Sequence, residues 1–234
     1  MKIERVILIG GGNSIREGLS KGLWTKLVGE FSIGLNSNYH HFNSTALAFV
    51  DQPFYKKNKE NLSKLPLVLC KARNEIIIEK YPNFIHLPVT GKYDNTLQKG
   101  VYSSILVGLF AITIAIYLKV DEIFILGFDW SLKTDKKGED GKIITHYYQE
   151  NKKLKHRGTG KTSFYDTWKP EKYFKVYLNE PVKIYNVSLN SHINSFPKIS
   201  YDEFFKKLET NPVNYNQDEI RVFIKEQLTK LRKK

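Results

Sequence analysis

The chain has 234 residues, a formal charge of +13, 41 % hydrophobic and 13 % aromatic residues, and a single cysteine, Cys70. That length suits one α/β domain or one domain with a small appendage, and the apolar content argues against disorder over most of it. One cysteine excludes an intrachain disulfide and a cysteine metal cluster; Lys far outnumbers Arg and no zinc-finger or RNA-recognition spacing occurs, so the charge points to an anionic partner without naming one.

"RVILIG" (5–10) reads as a short, fully buried parallel strand closed by glycine. The start "MKIERVILIG" carries charge and breaks too early for the apolar region of a signal peptide, so a cytoplasmic location is expected. "SIREGLSKGLWTKL" is predicted to be a helix capped by Asn13 or Ser14. "FSIGLN" and "TALAFVD" are the next strands, and "QPFYKKNKENLSKL" a polar helix with Pro53 in its first turn. "LPLVLC", "EIIIE" and "FIHLPV" are further strand candidates.

Gly100 to Leu118, "GVYSSILVGLFAITIAIYL", holds no charge and has lysine at both ends, so by length it borders on a membrane span. A buried central helix is the expectation, because the strand "DEIFILGFD" follows at once and needs partners from before the segment. Trp130 to Lys161 is polar and aperiodic, the mark of a lid or insert. "KTSFYDTWKPEKYFKVYL" reads as a helix interrupted at Pro170, "VKIYNVS" as a late strand, and "SYDEFFKKLE" and "NQDEIRVFIKEQLTKLRKK" as helices. The last places Ile220, Phe223, Ile224, Leu228 and Leu231 on one face and ends in "KLRKK", a pattern that packs on a domain or lies on an anionic membrane surface. The alternation implies an α/β, Rossmann-like fold with a mostly parallel sheet and helices on both faces. One domain is expected over 1–212, with a lid-like insertion at 130–161 and an amphipathic basic helix over 213–234.

The motif of interest is "GGGNSI". Gly10 and Gly12 satisfy two positions of a dinucleotide fingerprint, Ile15 stands in place of the third glycine, and no Lys-Ser/Thr pair follows. The turn Gly10, Gly11, Gly12, Asn13, Ser14 can bring backbone close to an anion or serve as a plain strand-to-helix corner. Asn36, Asp51 and Asp129 each end a strand, and in open α/β sheets ligands bind at the carboxyl ends of strands, which puts these residues on one rim with Gly11. In the long polar stretch, His146 with Tyr148 in "THYYQE" and His156 in "KHRGTGK" are candidate general bases, and Arg157 with Lys161 a candidate phosphate clamp. No metal constellation stands out.

The ordered set "VILIGGGNSI", "IGLNSNY", "QKGVYSSILVGLFAI", "VDEIFILGFDW" and "VKIYNVSLNS" resembles the bacterial sialyltransferases that extend lipooligosaccharide, together with their motility-associated glycosyltransferase-like and archaeal pterin-pyrophosphokinase relatives. The likeness covers most of 1–129 and returns near 182–191; Gly11 replaces the family's turn asparagine, and Gln98-Lys99 its Thr-Ser pair. The resemblance implies a Rossmann-like core and a nucleotide-sugar glycosyltransferase that uses a CMP- or other NDP-sugar and acts on a glycan acceptor; if lid Lys and Arg and the helix N-terminus stabilise the departing phosphate, the transfer needs no metal. It implies that Gly11, Gly12 and Ser14 face phosphate and sugar. Asn36 and Asp51 would then reach the ribose and donor, and Gly100, Tyr102, Gly127 and Asp129 shape the pocket. His156, with His146 as second choice, would be the base. The alternatives are a pyrophosphokinase on the same core and a non-catalytic nucleic-acid-binding protein, the last less expected from the Lys bias. Base, sugar, acceptor and homo-oligomer formation stay open.

Overall fold

The computed structural model describes residues 1–71, 81–94, 99–103, 106–130, 146–148 and 170–232. In chain order these hold β1 (Arg5–Ile9), α1 (Ile15–Ser20), α2 (Leu23–Lys26), β2 (Ser32–Leu35), a 3-10 turn (Asn36–His40), β3 (Ala46–Phe49), α3 (Gln52–Leu62), β4 (Val68–Lys71), β5 (Phe84–Leu87), β6 (Val89–Thr90) and β7 (Val101–Tyr102). There follow α4 (Val107–Tyr117), β8 (Glu122–Leu126), α5 (Glu171–Phe174) running into a 3-10 turn (Lys175–Tyr177), β9 (Lys183–Asn186), α6 (Tyr201–Thr210) and α7 (Gln217–Arg232). The candidate strand "EIIIE" lies outside the described residues.

Seven strands form one sheet in the order β5-β4-β3-β2-β1-β8-β9, every neighbouring pair parallel, while β6 and β7 pair separately. The fold is α/β and Rossmann-like. β1 is buried at all five positions because helices cover both sheet faces, which is why it reads as an unbroken apolar run. Val6 and Leu8 face a core shared with α4 and α7; Ile7 and Ile9 face one shared with α1 and α6. Strands β1 to β5 step outward in one direction, and the chain then returns to lay β8 on the other side of β1. The order therefore reverses between β1 and β8, and the crevice at their carboxyl ends is where ligands of such sheets bind.

The long apolar segment divides. Val101–Tyr102 becomes a strand, and the helix behind it keeps only 11 residues, seven of them buried from Leu109 to Ala115. At 1.5 Å per residue it spans about 16 Å, roughly half a bilayer core. Among the described residues no helix is long and apolar enough to cross a membrane.

The first predicted helix also divides, at Gly22, whose φ of +79° turns the chain between α1 and α2. Pro170 is the N-cap of α5; the part of the expected helix before it lies outside the described residues. In α7, Ile220, Ile224 and Leu228 are fully buried against the α4 face, and Phe223 packs beside them. Each such aliphatic side chain contributes about 1.5–3 kcal/mol. Through these residues the helix is part of the domain core. At the opposite end of the sheet from the crevice, Arg5 and Glu30 form a buried two-pronged ion pair at 2.8 and 2.6 Å, with Arg5 Nη1 also donating to the Asn211 carbonyl at 2.7 Å.

Candidate functional site

The strand registers set the site. Ile9 pairs with Leu126 on one side and Gly34 on the other, so Gly10, Gly127 and Leu35–Asn36 leave the sheet at one level. The Gly10 N–H donates to the Leu126 carbonyl at 2.7 Å and the Gly12 N–H to the Gly127 carbonyl at 2.9 Å, locking the two turns together. A Cβ on Gly10 would stand 2.6 Å from the Gly127 carbonyl oxygen, and one on Gly12 2.5 Å from an Asp129 oxygen. A Cβ on Gly11 would stand 2.5 Å from the His146 ring. Close approach of backbone to backbone thus requires glycine at positions 10 and 12, whereas Gly11 faces the side chains of His146 and Tyr148. Ile15, where a dinucleotide fingerprint has glycine, is fully buried and fills the space over Gly127.

Behind the turn, Asp129 accepts the Ser14 N–H at 2.8 Å and the Ser14 hydroxyl as well. The Ser14 side chain does not cap its own helix; the carboxylate of Asp129 does. The spot where the fingerprint would seat a phosphate is held by the protein's own anion.

Beyond Trp130, the described residues of the long polar stretch are His146, Tyr147 and Tyr148, and they dock on the turn. The Tyr147 N–H donates to the Gly11 carbonyl at 3.0 Å, Arg16 Nη2 donates to the Tyr147 carbonyl at 2.9 Å, and the Tyr147 hydroxyl donates to Asn38 Oδ1 at 2.7 Å. Asn38 is fully buried, and its Nδ2 donates to the carbonyls of Ile9 at 2.7 Å and Gly10 at 2.8 Å. Burial raises the Tyr147 phenol well above its ordinary value, so it remains a donor. This clasp leaves His146 and Tyr148, whose ring centroids are 5.1 Å apart, at the cavity.

The cavity has a volume of about 220 Å³ and lies at the β1/β8 switch point. One side is polar: the backbone of Gly10–Gly12, Asn36, Asp129, His146 and Tyr148. The other is aromatic and aliphatic, with Phe128, Trp130, Phe174 and Ile193. The first turn of α4 forms a third wall through Val107 and Gly108, and its N-cap, Leu106, offers no capping side chain. Asn36 has φ +52°, and its Oδ1 is buried with no hydrogen-bond partner among the described residues. An acceptor unmet by the described residues is available to a donor entering the cavity.

Of the residues singled out from sequence, Gly10, Gly11, Gly12, Asn36, Gly127, Asp129, His146 and Tyr148 line this cavity. Asn13 and Ser14 do not; Asn13 Oδ1 instead meets Arg16 Nε at 3.4 Å. Asp51 is exposed at the N-cap of α3, after a strand two places from β1, hence about 10 Å across the sheet. Gly100 turns against the Pro88 carbonyl, and Tyr102 is buried beside Tyr93 and Tyr177; neither lines the cavity. His156, Arg157 and Lys161 lie outside the described residues. The α4 first turn, Phe174 and Ile193 carried no sequence signal; Phe128 and Trp130 flank Asp129 in "GFDW", and Asn38 stands with Asn36 in "GLNSNYH", where an asparagine at a strand end reads as a ligand contact or as turn chemistry.

Protein-family models, curated proteins and solved structures were all compared with the chain, and none matches.

Proposed function

We propose that the cavity binds the nucleotide of a nucleotide-sugar donor and that the protein is a glycosyltransferase acting on a glycan acceptor. The observation that carries this reading is the convergence of the β1 turn, Asn36, the β8 turn and the His146–Tyr148 clasp around one cavity at the switch point. Its volume falls below the usual small-molecule range of about 300–1,000 Å³, which suits a base and ribose rather than a whole dinucleotide. Trp130 and Phe174 offer flat apolar walls for a base, and Asn36 Oδ1 an acceptor for an amino or hydroxyl donor. With Asp129 seated on α1, the phosphate goes to the first turn of α4.

In the transfer, an acceptor hydroxyl oxygen bonds to the anomeric carbon and the bond from that carbon to the phosphate oxygen breaks. His146 takes the hydroxyl proton, and the nucleotide leaves with the electron pair. Such an enzyme works where nucleotide sugars are made, in the cytoplasm.

A thermal-shift panel of CMP, UDP, GDP, ATP and their sugars tests the reading. One nucleotide should stabilise the protein by about 2–4 kcal/mol well above its dissociation constant. A flat panel overturns it. Turnover that survives a chelator is expected; loss restored by magnesium would favour phosphoryl transfer on the same core.

A further inference from the structure

The cavity is the inner end of a run of aromatic rings that passes through buried Tyr148 and reaches the surface at His40. His146 stacks on Tyr148, and Tyr148 on His41, with centroids 5.1 and 5.6 Å apart. From His41 the run passes to His40 at 6.5 Å, Tyr39 at 3.9 Å and Phe54 at 6.5 Å. His40 is exposed; Tyr39, His41 and Phe54 are half-buried. The route has a covalent cause, because the 3-10 turn that carries Tyr39 and His40 begins at Asn36, itself a cavity wall. The outer rings are held in place: the Tyr39 hydroxyl donates to Asn58 Oδ1 at 2.9 Å, and Asn58 Nδ2 donates to the Phe54 carbonyl at 2.8 Å. Rings fixed in this way give contact area at little entropic cost.

We propose that this track is the acceptor subsite and that its occupant is an oligosaccharide, whose pyranose C–H faces stack on His40, Tyr39 and Phe54 while its terminal hydroxyl reaches His146. The inference deepens the transferase reading and rests on it. A sugar chain is the occupant that the transferase reading calls for; Lys57, whose charge acts on His40, makes single-stranded nucleic acid the competitor that the test separates from it. Burial, then Lys57, lowers His40, and burial, then His40, lowers His41, which favours neutral rings that can stack on the C–H face of a sugar.

The test is an array of immobilised oligosaccharides probed with the labelled full-length chain, alone and with the nucleotide giving the largest thermal shift. A labelled oligo-dT serves in parallel. Binding to at least one oligosaccharide is expected, reduced fivefold or more in His40→Ala, which is exposed and should fold, and in Phe54→Leu, and retained in Tyr39→Phe, which keeps the ring. No oligosaccharide signal, a signal indifferent to His40→Ala and Phe54→Leu, or salt-sensitive oligo-dT binding in its place each overturns the proposal. Oligosaccharide binding with a flat nucleotide panel keeps the glycan site and retires the transferase; a nucleotide shift without oligosaccharide binding does the reverse.

Discussion

Asp129 and Ser14 are joined twice: the carboxylate accepts both the backbone N–H and the hydroxyl of the serine, 115 residues away in sequence. The pair clips the turn after β8 to the first turn of α1, and it brings Asp129 so close to Gly12 that a methyl group there would not fit. It also decides what the "GGGNSI" turn is. The glycines serve contacts within the chain.

Gly10 and Gly11 should therefore respond differently to a methyl group. Gly10→Ala meets the Gly127 backbone, which cannot yield, and should destabilise by about 2–3 kcal/mol in urea unfolding. Gly11→Ala meets side chains of the clasp. It should cost about 1 kcal/mol or less while displacing the His146 ring resonances in NMR spectra.

Asn38 joins the ends of β1 and β2 to the clasp. Asn38→Ala should lose about 2–4 kcal/mol, because the carbonyls of Ile9 and Gly10 and the Tyr147 hydroxyl are left unpaired in the interior. Tyr147→Phe removes one of these bonds and should lose about 1–2 kcal/mol. Denaturant midpoints at constant slope would check both.

Asn36 separates stability from binding. Asn36→Gly relieves a left-handed backbone and should stay within about 1 kcal/mol of wild type. It also deletes the unmet acceptor, so affinity for the nucleotide of largest thermal shift should fall about tenfold by calorimetry.

The pH dependence of the clasp follows from His41. Burial, then His40, lowers its folded-state value, so the unfolded chain binds the proton more readily. The contribution is complete above the unfolded value of about 6.5 and is lost as pH falls through the lower folded value. The melting temperature should drop on acidification below neutrality, and His41→Asn should flatten that drop. An unchanged slope in the variant would remove His41 from the account.

The Arg5–Glu30 pair anchors the other end of the sheet. Glu30→Ala should cost about 3–5 kcal/mol by stranding the buried guanidinium, and adding Arg5→Met should recover at least half of that loss. A double-mutant cycle in urea reads both values.

Much of the architecture was legible in the chain because a strand buried on both faces must be a continuous apolar run, as in "RVILI" and "EIFIL", and because glycine closes such strands. Local chemistry was less legible where a residue's partner decided its role. Asp51 and Asp129 look alike in sequence, each an aspartate at the end of a strand. Only the strand order puts one at the switch point and the other two strands away. Asn38 looks like a turn residue, yet it is the buried hub of the clasp.

Hydrophobic patterning and glycine placement, both local properties of the chain, determined by themselves that this protein is a parallel α/β sheet with a turn after its first strand. Tertiary structure alone decided which strand ends meet. It placed β8 beside β1, set Asp129 on Ser14, wrapped Tyr147 over Gly11 and raised the first turn of α4 as a cavity wall. Those contacts join residues tens to more than a hundred positions apart, and their geometry depends on strand order and register, which no short stretch of sequence contains.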